Sequence, residues 1–164
     1  MYFLVHRSLS SMQKGIQAGH AALEYCLQNR VDTEMWNFIK NDKTWIVLEG
    51  GVNVDLSLHE SYLKDVCKIK ISKFNEPDLN DCPTALCFIV DERVYDREKY
   101  PSFPDFVTSI YPDATDMRIY TAYKIHPEEV INSYSKEYKV WVENMGGESN
   151  VLLREYLSQF KKAI

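Results

Sequence analysis

The chain has 164 residues, 45% hydrophobic and 26% charged, with a formal net charge of -5. That size suits one domain with a real core, and the acidic balance argues against a broad phosphate-gripping surface. No apolar run approaches the roughly 20 residues that cross a bilayer, and the start lacks the features of a signal peptide. The chain is therefore expected in the cytoplasm with no membrane partner.

The apolar run Tyr2-Phe3-Leu4-Val5 predicts a central strand, ending at His6 and Arg7. A helix is expected over residues 11–29, with Ser10 or Ser11 as its N-cap. Gln17, His20 and Glu24 share one helix face by their spacing. Gly19, among Ala18, Ala21 and Ala22, is expected to let the helix approach the sheet closely. A short helix over 33–41 and a second apolar strand, Thr44 to Glu49, follow. Gly50-Gly51 ends that strand, and residues 57–67 read as a helix.

Lys68-Ile69-Lys70-Ile71-Ser72 alternates as a half-exposed strand does. Glu76 to Asp81 is an acidic turn, and Thr84 to Val90 is a third apolar strand. Asp91 to Pro104 reads as a connecting arm. Phe106 to Tyr111 is a helical turn, and Met117 to Ile125 is either a strand or part of the next helix. Residues 127–145 are expected to form the longest helix, stopped by Gly146-Gly147, and Asn150 to cap the last one.

The sum is an α/β chain. Residues 1–92 are a mixed sheet of about four strands with flanking helices, and residues 93–164 are a helical extension packed on it. The apolar face of residues 127–145 is expected either to close over the sheet or to pair with a second copy. The aromatic stripe Tyr134-Tyr138-Trp141 reads as core or interface. Cys26, Cys67, Cys82 and Cys87 have no C-x-x-C spacing and read as reduced, buried thiols. His6, His59 and His126 lack metal-ligand spacing, and no cofactor is called for.

The opening segment carries a resemblance. A strand, a basic residue and a turn lead into Met12-Gln13-Lys14-Gly15 and Gln17-Ala18-Gly19-His20-Ala21-Ala22-Leu23. This order resembles the N-terminus of the type 2 peptidyl-tRNA hydrolases, over roughly residues 1–90. Glu76-Pro77-Asp78 before Thr84-Ala85, with Gly146-Gly147 and Leu153-Arg154 further on, is similar to phage-encoded members of that superfamily. Two departures stand out. Gln17 follows Lys14 about one helical turn sooner than in the family. The family's Asp-x-Gly-x-Thr segment maps onto Ser72 to Glu76 and is not retained, leaving Glu76 and Asp78 as acidic substitutes. Thr84 carries over cleanly.

The resemblance implies hydrolysis of the ester joining a peptide to the ribose of a tRNA. That reaction needs an oriented water, a base, and donors for the developing oxyanion. Lys14, His20, Glu76, Asp78 and Thr84 are the candidate catalytic residues. Arg7, Ser11, Gln17, Lys70 and Lys73 are the candidate ligand-binding ones. Each has an ordinary structural reading beside this: His20 as a packing residue, Glu76-Pro77-Asp78 as a turn, and Lys64, Lys68, Lys70 and Lys73 as a solvated face. The alternative function is a non-catalytic phage protein in the host cytoplasm, using the same cleft to bind a nucleotide-type ligand or a host protein.

Overall fold

The computed structural model describes residues 1–112 and 116–163, except the side chains of 116 and 117. The chain forms two compact units, Met1–Val90 with Leu152–Ile164, and Asp91–Val151.

The first unit is an open mixed sheet in the order β2-β1-β4-β3. Its strands are β1 (Tyr2–Val5), β2 (Ile46–Glu49), β3 (Ser72–Glu76) and β4 (Cys82–Phe88). β1 runs parallel to β2, with Val5 level with Glu49, and antiparallel to β4, with Val5 level with Ala85. β1 and β4 lie inside the sheet, so both faces are covered, which is why they read as unbroken apolar runs. The mixed α/β architecture with flanking helices is thus the one the sequence implies.

Helix α1 (Ser11–Gln28) starts at Ser10, whose hydroxyl accepts from the Gln13 backbone while the Gln13 side chain takes the Ser10 N–H at 3.0 Å. This reciprocal cap fixes where the helix leaves the loop after β1. Its inner face, Ala18, Ala21, Ala22 and Tyr25, packs with Phe3, Val5, Ala85 and Cys87. The buried Ser72 hydroxyl donates to the Ala21 carbonyl at 2.8 Å, tying β3 to the helix. The alanines make the close approach. Gly19 does not, since a Cβ there would meet nothing within 4 Å.

The next helix, α2 (Thr33–Asn37), runs into a π-helical turn over Phe38–Asp42. Helix α3 (Asn53–Asp65) begins earlier than its apolar spacing suggests, because Asp55 accepts from the Val52 N–H at 2.8 Å and caps the start. β3 lies later than the alternation of residues 68–72 implies. Lys68 adopts a left-handed φ of 55°, which no ladder residue can hold, so pairing begins at Ser72. The shift places Glu76 on the sheet rather than in a loop.

The chain after α9 (Glu148–Leu157) runs along the outer edge of β2. Glu49 N–H donates to Lys161 O at 3.0 Å, and Ala163 N–H to Val47 O at 2.9 Å. This covers an edge that would otherwise be open.

The second unit is helical: α4 (Glu92–Tyr95), α5 (Phe103–Ile110), α6 (Asp116–Ile125), α7 (Pro127–Ser133), α8 (Ser135–Asn144) and the start of α9. Residues 117–125 are therefore helix, not strand. The expected long helix over 127–145 is two, broken at Tyr134 (φ -120°, ψ 43°). Asn132, Ser133 and Ser135 favour local side-chain bonds there, and the Ser133 hydroxyl donates back to Glu129 O at 2.8 Å. The apolar face of these helices is covered within the unit. Val130, Trp141 and Met145 pack with Phe103, Val107 and Ile119. Gly146 and Gly147 take left-handed φ values of 82° and 108° and end α8. Asn150 lies inside α9, and its side chain donates to Met145 O, closing the preceding helix.

Candidate functional site

Two polar constructions leave the inner side of α1 near the end of β1. The first is a relay. The buried Thr84 hydroxyl donates to Gln17 Oε1 at 2.8 Å, and Gln17 Nε2 donates to Glu76. The two ends of one buried amide are thus fixed, oxygen toward the hydroxyl and nitrogen toward the carboxylate. The register slip between Phe74 and Asn75 brings this about, because the bulge re-aims the side chains around Thr84. Gln17, Glu76 and Thr84 come from three elements, α1, β3 and β4, and converge here.

The second construction is an ion pair. Lys14 is buried, and its Nζ lies 3.1 Å from Glu49 Oε1 at the end of β2 and 3.4 Å from Ala163 O. Glu49 keeps 43% of its side chain in solvent, so the pair is buried on one side only. Glu49 and Glu76 stand on the two outer strands, roughly 14 Å apart at about 4.8 Å per strand step. Lys14 and Glu76 therefore serve different partners on opposite sides of α1.

A cleft of about 490 Å³ opens beyond β1, with Thr84 in its wall. His6, Ser8, Asn53, Asp78 and Cys82 also line it. The Ser8 backbone N–H donates to His6 Nδ1 at 3.3 Å, and the Ser8 hydroxyl lies 2.9 Å from the same atom. Nδ1 is then the acceptor nitrogen, and in the neutral ring Nε2 carries the proton. Asn53 Nδ2 lies 3.0 Å from Cys82 Sγ. Asp78 sits in the 3-10 turn Pro77–Leu79, directly after Glu76.

The remaining predicted residues lie elsewhere. His20 is exposed and stacks on Phe74 with ring centroids 4.6 Å apart. Arg7 joins the sheet through its backbone N–H to Gly51 O at 2.8 Å, with its side chain exposed. Ser11 is the first residue of α1, one past the cap. Lys70 is paired with Asp32, and Lys73 with Glu60 at 2.7 Å. Lys64 also pairs with Glu60, at 2.6 Å. The Lys70 hydrogen bond holds the Asp32 carboxyl below its ordinary range. Burial pushes Glu60 upward, but Lys64 and Lys73 outweigh it and leave that carboxyl lowered too. Three lysines of this face, Lys64, Lys70 and Lys73, are thus paired with two acids, Glu60 and Asp32.

Sequence reading did not find Glu49, Asn53, Ser8 or Cys82. Glu49 had a signal, as a charge ending an apolar strand before Gly50-Gly51. Asn53 and Cys82 had none. All four cysteines are free. Burial pushes the Cys67 thiol up to about 11 and the Cys87 thiol higher still. Among the described residues no group of His, Cys, Asp and Glu is placed to hold a metal ion, and no helix is long and apolar enough to cross a membrane.

Fold and site together define a small mixed-sheet α/β protein with a hydroxyl–amide–carboxylate relay, buried at Thr84 and Gln17, beside an open cleft. No family model, curated protein or solved structure matches the chain.

Proposed function

We propose that this chain is a peptidyl-tRNA hydrolase-like esterase acting on the ester between a peptide and the ribose of a tRNA. The observation that carries the reading is the convergence of Gln17 and Glu76 on Thr84, which lines the cleft. Glu76 has one oxygen held by Gln17, and its remaining lone pairs orient the attacking water as general base. Asp78 follows two residues later in the cleft wall and is the second acid available. His6, with Nδ1 occupied, offers Nε2–H to the developing oxyanion. Lys14 supplies positive charge at the start of α1 but is held by Glu49, so it acts as a positioning residue.

The test is release of tRNA from a model peptidyl-tRNA by purified protein. Wild type turns over, and Glu76→Gln loses about 10²–10⁴-fold in kcat, the usual contribution of a general base. Absence of turnover by wild type at high concentration overturns the reading.

A second reading rests on a different observation. Lys14, Lys70 and Lys73 are each committed to a carboxylate in a chain of net charge -5. A non-catalytic protein holding a nucleotide-type ligand, or a phage product blocking a host protein, needs only the cleft. Calorimetry with tRNA and nucleotides distinguishes it by stoichiometric heat without product.

A further inference from the structure

Helix α1 has an outer face that the described residues of its own unit leave uncovered. Met12 is 79% exposed, Ile16 51%, Leu23 65% and Leu27 69%. At 3.6 residues per turn these four lie within about 30° of one line along the helix, about 180° from the buried Lys14, Ala21 and Tyr25. No charged side chain falls on that line between Met12 and Leu27; Glu24 lies a quarter-turn away, at the rim. Apolar surface gathered in this way marks a binding face.

The pattern also reads the same in both directions. Met12 and Leu27 are equally far from the midpoint between Gly19 and His20, and so are Ile16 and Leu23. Laid antiparallel on a copy of itself, the helix sets Met12 of one copy level with Leu27 of the other, and Ile16 level with Leu23. A two-fold axis then passes beside Gly19, and the same flank of each helix meets its own copy. One flank carries Gly15 and Gly19, where a Cβ would meet nothing within 4 Å. Glycines on that flank let the two backbones draw together and bring Gly19 beside Gly19 of the second copy.

We infer that the protein pairs with a second copy of itself through this outer face of α1, as an antiparallel, two-fold symmetric dimer. A self-complementary patch is what an isologous contact requires, and two-fold dimers are the commonest assembly. At roughly 100 Å² per side chain, eight stripe residues remove on the order of 800 Å² of apolar surface. That lies below the roughly 1,200 Å² lower bound of stable interfaces. The dimer is therefore weak and concentration-dependent. The face lies opposite the relay, so both copies keep an open cleft.

The test uses the full chain. Wild type should approach twice the monomer mass by light scattering at on the order of 100 µM and return to monomer on dilution. Gly19→Cys, mildly oxidised, should form covalent dimer well beyond the wild-type level, which carries the native thiols as background. Ile16→Glu combined with Leu23→Glu should remain monomeric at the same concentration with an unchanged circular dichroism spectrum, since both side chains are exposed. A wild type that stays monomeric throughout overturns the inference and leaves the stripe to a different partner. So does a dimer that survives the double substitution, because its contact lies elsewhere. So does a Gly19→Cys protein that cross-links no more than wild type.

Discussion

Lys14 and Gln17 leave the same helix three residues apart, and both are buried, yet they do different work. Gln17 is neutral, and both ends of its amide are satisfied inside the protein by groups from β3 and β4. Lys14 carries a charge to the far edge of the sheet, where its partner Glu49 is almost half in water and the chain near Ala163 passes over it. The neutral amide of Gln17 and hydroxyl of Thr84 can be enclosed at little cost provided every atom is paired, with the Glu76 carboxylate left half-buried at the outer end. A buried charge cannot, and this one keeps a hydrated partner. The helix therefore holds a rigid centre on one side and a looser clamp on the other.

The comparison can be broken from either side, and the relay should give the larger effect. Thr84→Val keeps the shape but leaves Gln17 Oε1 buried without its donor, at a cost of about 1–3 kcal/mol in a denaturant titration. If Thr84→Val instead unfolds with wild-type stability, the relay is not an enclosed network.

The clamp should respond to the kind of substitution. Lys14→Ala costs about 1–2 kcal/mol, below the 3–5 kcal/mol of a fully buried pair because Glu49 can rehydrate. Lys14→Met fills the same space without charge and should lie within about 1 kcal/mol of wild type. Equal, large losses for both variants would mean the charge itself holds β2 to α1.

Acid should separate the two sides. His59 on α3 lies against the Tyr156 hydroxyl on α9 and edge-on to Phe160, 5.0 Å between centroids. Burial lowers its pKa from the ordinary value, although Asp55 pulls the other way. With the folded value below the unfolded one, the unfolded chain binds more protons in the interval between them. Stability is then full above about pH 6.5 and falls as pH drops through that interval. The α9 contact is the segment that leads to the strand over β2. Amide protection factors at Glu49 and Ala163, bonded to Lys161 and Val47 respectively, should fall on acidification before those in β4 do. His59→Phe should remove most of that difference.

The smallest effect is a gain. Gly19→Ala, measured at concentrations where the chain is monomeric, should raise stability by about 0.5–1 kcal/mol, because a helical glycine is replaced where nothing obstructs a methyl group. A loss there would mean that something packs against that flank.

Much of the sheet was legible because local and tertiary signals agree in β1, β2 and β4, whose apolar runs are enclosed. The start of α1 was legible because Ser10 and Gln13 form a cap readable at fixed spacing. β3 was misplaced because the alternation over 68–72 looks like a strand, while the left-handed Lys68 that prevents it carries no signature. Gln17, Glu76 and Thr84 were found through family resemblance, but their bonding depends on a bulge that pattern reading does not reveal. Lys14 was grouped with Glu76 and Asp78 among the candidate catalytic residues. Its partner Glu49 is 35 residues away across a parallel strand pair, a distance no spacing rule reaches. The break at Tyr134 was hidden because both halves of residues 127–145 keep one apolar face.

The most direct measurement is single-turnover release of tRNA from peptidyl-tRNA by wild type and Glu76→Gln, with Thr84→Val as a third sample. The relay account predicts turnover by wild type, a fall of at least about 10²-fold for Glu76→Gln with melting unchanged, and a loss for Thr84→Val. Wild-type turnover retained in Glu76→Gln, or none in wild type, would contradict it.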